Sequence, residues 1–327
     1  MTATMDSFEP QNTDGFVLFP LTGTARLPAP GWTSLDGRGL LSVSGSDAET
    51  FLQGQLTQDM ARVLADRALL AAHCTPKGRI STLFTAWPDG QGGFLLDCPA
   101  ELQPGALRRL RLYVLRAKVQ IAEASTGWSR VGLFGSAVPE RLAALGWNWP
   151  DAPGTLGSAG EHRLLRLPGD RWILLGPATA RGSVQTAIAA LLPQDDAGWA
   201  LSSLRAGAPE VLLPTTERFV PQMLNLDTLD GVSFRKGCYT GQEIVARTHY
   251  LGKVKRRMVW LGYAGAGVPA PGSRLTLLAT DSASAVAPVT ATDAESADSA
   301  EVVLALATHA MGGEALAVVR VADDDTP

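Results

Sequence analysis

Cys238 lies in the run Lys236-Gly237-Cys238-Tyr239-Thr240-Gly241-Gln242-Glu243 and is one of three cysteines in the chain. Thr240 and Glu243 have the Thr-x-x-Glu spacing of a capping box, which predicts a helix from Gln242 to Thr248 capped by Thr240. Cys238 then sits just outside the positive end of that helix, near Arg235, Lys236 and Arg247, and all of these favour a thiolate over a thiol. A thiolate so placed is a nucleophile or a metal ligand. The same spacing also suits an ordinary strand-to-helix turn around a small buried cysteine.

Few other residues compete for a chemical role. His73, His162, His249 and His309 are scattered, and only His249 is near enough in sequence to act as a base for Cys238. His73 beside Cys74 reads as a strand neighbour. No Walker loop and no Gly-x-Gly-x-x-Gly after a strand is present, so nucleotide cofactors are not indicated. Cys74, Cys98 and Cys238 are widely spaced and form no CxxC pair, which supports neither a disulfide framework nor a zinc knuckle and fits a reducing cytoplasm.

The elements that must position the cysteine begin after a loose segment, 1–30. Gly39–Val43 reads as a strand, and Ser46-Asp47-Ala48-Glu49 repeats the capping-box pattern before Phe51, Leu52 and Leu56 on one helical face. Two β-like runs, 68–74 and 80–87, flank Thr75-Pro76-Lys77-Gly78-Arg79; a strand at 94–98 and a helix over 102–115 follow. A second round repeats the order, with a strand at 131–134, a helix over 138–145, a hairpin over 163–175 turning at Pro168-Gly169-Asp170, and a helix over 184–192. Strands paired by hairpins with helices on one face predict α+β units of ferredoxin-like type, 31–125 and 126–250, rather than a doubly wound parallel sheet. From 251 to 327 short apolar runs broken by Gly and Pro predict a small β-barrel. Within it, 279–300 is rich in Ala, Ser, Thr and Asp and reads as an elongated hairpin or mobile loop, and Asp323-Asp324-Asp325 as a frayed acidic tail.

Composition sets wider bounds. At 327 residues, with 46% hydrophobic and 18% charged, the chain is a multidomain globular protein. The net charge of -4 argues against a general nucleic-acid binder, although 235–257 holds seven Lys or Arg against Glu243 alone. The run Lys253 to Arg257 would serve an RNA-binding module, but only Tyr250 and Trp260 stand near it as stacking aromatics. Met1–Gln11 has Asp6 and Glu9, no Lys or Arg and no apolar core, so no secretory signal is read there. No stretch reaches the ~20 apolar residues of a membrane span.

The octet Lys236 to Glu243, with Phe51-Leu52-Gln53-Gly54-Gln55-Leu56-Thr57-Gln58-Asp59 and Pro76-Lys77-Gly78-Arg79, resembles the YgfZ family, folate-binding relatives of the glycine-cleavage T-protein that assist iron–sulfur enzymes. The likeness runs from about Gly39 to Arg257. It implies three domains around a folate-sized hole, tetrahydrofolate as ligand, and Cys238 and Lys236 as the working groups. Tyr239, Gln242 and Glu243 would meet the pterin, and Arg247 and Lys253 the glutamate tail. The implied partners are iron–sulfur client enzymes, tRNA-thiolating ones among them, in the cytoplasm and without membrane or direct nucleic-acid contact.

Departures from the T-protein weigh against its reaction. The stretch Gly78-Arg79-Ile80-Ser81-Thr82-Leu83 has no carboxylate where that enzyme uses an aspartate, and Arg205 stands where it has a glutamate before Ala206-Gly207. Arginine carries donors only and cannot replace an acceptor. A tetrahydrofolate-dependent aminomethyl or one-carbon transferase is therefore the alternative, with Cys238 or Glu243 in place of the missing aspartate.

Overall fold

The computed structural model describes residues 16–21, 28–277 and 299–321. In chain order, β1 (Val17–Pro20), β2 (Gly31–Ser34) and β3 (Arg38–Ser44) lead into α1 (Ala48–Gln53) and α2 (Ala61–Asp66). Next come β4 (Leu69–Cys74), β5 (Ile80–Pro88), β6 (Phe94–Pro99), α3 (Gln103–Leu112) and β7 (Gln120–Glu123). β8 (Trp128–Phe134), α4 (Val138–Arg141), β9 (Leu156–Ala159), β10 (His162–Leu167), β11 (Arg171–Pro177) and α5 (Arg181–Ala189) follow. The remaining elements are α6 (Asp196–Arg205), α7 (Gln242–Tyr250), β12 (Arg256–Ala264), β13 (Arg274–Leu277), β14 (Ser299–His309) and β15 (Gly312–Arg320).

These elements form two compact units, one of them Arg26–Gly252. It holds two five-stranded sheets, β4-β5-β6-β3-β7 and β2-β8-β11-β10-β9, with antiparallel neighbours throughout. Side chains alternate across the pleat, so each strand serves two cores. Leu41, Ala86 and Leu96 face the helices of the first sheet, while Leu40, Trp87 and Leu95 face the second sheet and meet Leu165, Ile173 and Leu175. Leu164 and Leu174 turn the other way, toward α4 and α5. The result is a helix–sheet–sheet–helix sandwich. The ferredoxin-like expectation is met only coarsely, since each sheet has five strands where a βαββαβ unit has four.

The other unit is a closed barrel ordered β1-β12-β15-β14-β13. It corrects the loose N-terminal segment: Val17–Pro20 lies antiparallel to β12 and parallel to β13. Its four residues pair with strands more than two hundred positions away, and no local pattern announces that. β2, expected in a first domain from 31, pairs with β8 in the second sheet, Gly31 opposite Phe134, and both sheets lie within the unit Arg26–Gly252.

Several helices differ from expectation. α3 stops at Leu112, and the helix read over 138–145 splits into α4 and a 3-10 turn, Ala143–Leu145, ended by Gly146 at φ 65°. α6 was not foreseen; Asp195 caps it by accepting from the Gly198 N–H at 2.8 Å. Most of the 279–300 segment and the Asp323–Asp325 tail lie outside the described residues, although Ser299 and Ala300 open β14. Among the described residues no helix is long and apolar enough to cross a membrane.

Candidate functional site

Between Gly231 and Gly241 the chain has no regular element, so its backbone must find partners elsewhere. The loop after α1 supplies them. Thr57 pairs with Ala72 of β4 through both its N–H (3.0 Å) and its hydroxyl, which accepts the Ala72 N–H at 2.9 Å. The same hydroxyl donates to the Gly231 carbonyl at 2.7 Å, and the Thr57 carbonyl accepts the Ser233 N–H at 2.9 Å. Gln58 donates its amide to the Asp230 carbonyl. Arg62 closes the edge with a two-pronged bond to the Asp230 carboxylate at 2.9 and 2.6 Å. The run from Phe51 to Asp59 is thus a cradle for the cysteine segment.

Lys236 completes it. Its ammonium donates to the carbonyls of Gln53 (2.7 Å), Leu56 (2.7 Å) and Gln58 (2.9 Å). Gln53 ends α1, where carbonyls lack helical partners and a cation is favoured. Burial pushes the Lys236 pKa down to about 8, opposed by Asp59. Three carbonyl acceptors nevertheless require three N–H, which only the ammonium provides. Lys236 also lies 5.2 Å from the centre of the Tyr239 ring. With its donors spent on backbone, Lys236 positions the segment.

The β4–β5 turn holds the other end. Gly78 (φ 68°) and Gly241 (φ 83°) meet back to back, and a Cβ on Gly241 would collide with the Thr75 carbonyl oxygen. Gly241 therefore heads α7 in left-handed geometry that side chains disfavour. This corrects Thr240 as the cap, because α7 has no side-chain cap. Instead the side-chain Oε1 of Gln242 accepts the Tyr239 N–H at 3.3 Å. The second expected box fails too: α1 has no side-chain cap, and the Asp47 carboxylate takes the Lys118 N–H at 2.8 Å and the Ser46 hydroxyl at 3.1 Å.

From this scaffold Cys238 emerges exposed, while Cys74 and Cys98 are buried. Burial pushes both buried thiols up to about 12. Tyr239 is only 7% exposed, and its phenol is raised by burial and by the nearby Cys74. Glu243 and Arg247 lie exposed on successive turns of α7, with Gln242 half-buried beside them. Lys253 is exposed but belongs to the other unit.

Two of the histidines have defined partners. His249, on the last turn of α7, stacks on Phe234 of the Cys238 loop with ring centres 3.7 Å apart. His73 is buried. Because the Ser81 hydroxyl donates to the His73 carbonyl (2.9 Å), it must accept from Nδ1 (3.1 Å), which leaves the Nε2 lone pair without a partner. Burial, aided by Arg109, holds this imidazole neutral with a pKa of about 4. Among the described residues no group of three or more His, Cys, Asp or Glu could hold a metal ion. The positioning residues Thr57, Gln58, Gly78 and Gly241 all fall in the three runs that carry the family resemblance, but nothing local marks them as partners of one another.

Sheets, helices and barrel together define the class. The fold is that of glycine-cleavage T-proteins: aminomethyltransferase T from Bartonella henselae matches with a TM-score of 0.61 at 12% identity, covering 90% of this chain and 79% of that one. Sequence relatives narrow the class to a family. The tRNA-modifying protein YgfZ of Yersinia pseudotuberculosis serotype O:1b (strain IP 31758) is 33% identical over 245 residues, 74% of each chain. That of Pectobacterium carotovorum subsp. carotovorum (strain PC1) is 32% identical over 265 residues, 80% of this chain and 79% of the relative. The chain belongs to the YgfZ family. No family model matches it.

Proposed function

We propose that the chain is a cytoplasmic folate-binding accessory protein that supports assembly or repair of iron–sulfur enzymes, and through them tRNA modification. Cys238 is its reactive group at the edge of a tetrahydrofolate pocket. The observation that carries this reading is the exposed cysteine on a cradle of backbone hydrogen bonds, in a chain whose other two cysteines are buried. A cysteine with only a packing role has no need of such a display.

The residues on α7 fit a reduced folate. Glu243 offers an exposed carboxylate to the amino edge of a pterin, Gln242 keeps its amide N–H2 as donor, and Arg247 offers a cation to the glutamate tail. Tyr239 and Lys236 act from behind, one packed and the other tied to α1. Tetrahydrofolate, when bound, supplies a carrier for a one-carbon unit. The chain's own residues orient it, and Cys238 meets the client enzyme from its rim.

Calorimetric titration with tetrahydrofolate, combined with iodoacetamide labelling, tests the reading. Wild type binds, Glu243→Ala and Arg247→Ala bind about tenfold more weakly, and saturating folate slows labelling of Cys238. Undiminished binding by both variants, or labelling indifferent to folate, overturns it. Turnover of folate with a methylamine or formaldehyde donor that requires Cys238 would establish the transferase instead.

A further inference from the structure

The end of α3 and the loop beyond it expose an apolar lip edged with cations. Leu112 is 75% exposed, Leu115 86% and Tyr113 41%, all within four residues. Their neighbours Val114 and Ala117 pack into the core, which fixes the backbone and turns the leucines outward. Arg108, Arg111, Arg116 and Lys118 are also exposed, and no Asp or Glu occurs from 102 to 122. Among the described residues only Arg109 of this stretch has a carboxylate in ion-pair range, Glu217 at 2.6 Å. Arg111 is steadied by donating to the Ile121 carbonyl at 2.6 and 3.0 Å.

The lip is joined to the cysteine cradle by direct contacts. Tyr113 stands edge-on to His73 with ring centres 6.3 Å apart, His73 bridges to Leu56, and the Leu56 carbonyl binds Lys236.

We infer that Leu112, Tyr113 and Leu115, with Arg108 and Arg116, form a docking surface for a protein partner that presents an apolar cleft rimmed by carboxylates. The inference rests on the reading of the chain as a factor that works on other proteins, and it names how such a protein is recognised. Charge decides the occupant: a local excess of cations on a chain of net charge -4 selects an acidic face. Two exposed leucines with exposed arginines on either side in the chain offer the components of a protein interface, an apolar anchor and a polar rim. Single-stranded RNA would need free aromatic faces for stacking, whereas the one aromatic here leans on His73. A bilayer would need more buried apolar area than two leucines supply.

The test uses a fluorescent synthetic peptide alternating Glu with Leu and Phe, a copy with Lys for Glu, phosphatidylglycerol vesicles, and bulk tRNA as probes of the full chain. The acidic peptide binds saturably, and binding weakens about tenfold or more in both Leu112→Ser/Leu115→Ser and Arg108→Glu/Arg116→Glu. The basic copy does not bind. Both variants retain the wild-type affinity for tetrahydrofolate, which separates failure of the lip from failure of the folate reading and shows that they fold. Equal peptide affinity in wild type and variants overturns the inference, as does loss of vesicle or tRNA binding in the variants without loss of peptide binding.

Discussion

β3 leaves the first sheet through Gly45-Ser46 into α1, and β8 leaves the second through Gly135-Ser136 into α4, with glycine φ values of 116° and 105°. Each sheet then carries a hairpin whose turn contains Pro, Gly and Arg: Thr75 to Arg79 between β4 and β5, and Pro168 to Arg171 between β10 and β11. Gly78 backs onto the start of α7 and Gly169 onto Ala206, just past α6. In the second hairpin the polar groups close on themselves. Arg171 is buried, bonded to the Pro168 carbonyl (3.0 Å) and the Ser203 hydroxyl (2.8 Å), with its guanidinium 5.6 Å from the centre of the Trp199 indole. In the first, the chain that meets the turn carries an exposed cysteine. Docking a hairpin on a helix end therefore needs no exposed thiol, and the thiol is the feature that structure alone does not require.

The largest effect expected from breaking this likeness falls on the paired glycines. Gly241→Ala forces a side chain into left-handed geometry and against a backbone oxygen that cannot move aside, at a cost of about 3 kcal/mol. Gly169→Ala meets only the Ala206 methyl at a similar φ of 76° and costs about 1–2 kcal/mol. Urea denaturation of both variants measures the difference. Equal losses would mean that the Gly78–Gly241 contact is no tighter than its counterpart.

The glycines also show what the sequence can convey. Both hairpin turns, the repeated strand–helix order and the barrel are readable because local chemistry dictates them, as Pro168-Gly169-Asp170 does for its turn. Thr240 misled because a capping box reports spacing alone, and Gly241 takes a φ that removes the threonine from the cap. The role of Lys236 was invisible, since its three acceptors lie some 180 positions upstream and nothing in the octet points to them. β1 and β2 escaped for the same reason, each being a four-residue strand placed by distant partners.

Lys236 and Arg171 give the next contrast, as both spend their donors inside the fold. Lys236→Met leaves three carbonyls without a donor and costs about 2–3 kcal/mol. Lys236→Arg does not restore the loss, because a planar guanidinium cannot converge on three carbonyls around one nitrogen. Arg171→Met costs a similar amount through the Pro168 and Ser203 partners. Only the lysine variants also change the rate at which iodoacetamide labels Cys238. A changed rate in Arg171→Met, or an unchanged one in Lys236→Met, would refute the separate duties of the two turns.

A smaller effect compares two buried histidines, His73 on β4 bonded to Ser81 and His162 on β10 bonded to Ser129, each at 3.1 Å. Burial lowers both, His73 to about 4. Such a group is neutral when folded, so below pH 6.5 the unfolded chain takes up a proton that the folded chain refuses. Stability present above pH 6.5 is therefore lost as the pH falls toward 4, by about 2 kcal/mol at pH 5 for His73. His73→Asn can still donate to Ser81 and does not titrate, so it should flatten the fall in the urea midpoint between pH 7 and pH 5. His162→Asn should flatten it less, because the nearby Glu161 carboxylate opposes the effect of burial on that imidazole. A His73→Asn chain with the wild-type pH slope would show that the proton is taken up elsewhere, and the first sheet would lose its claim to the more deeply buried base.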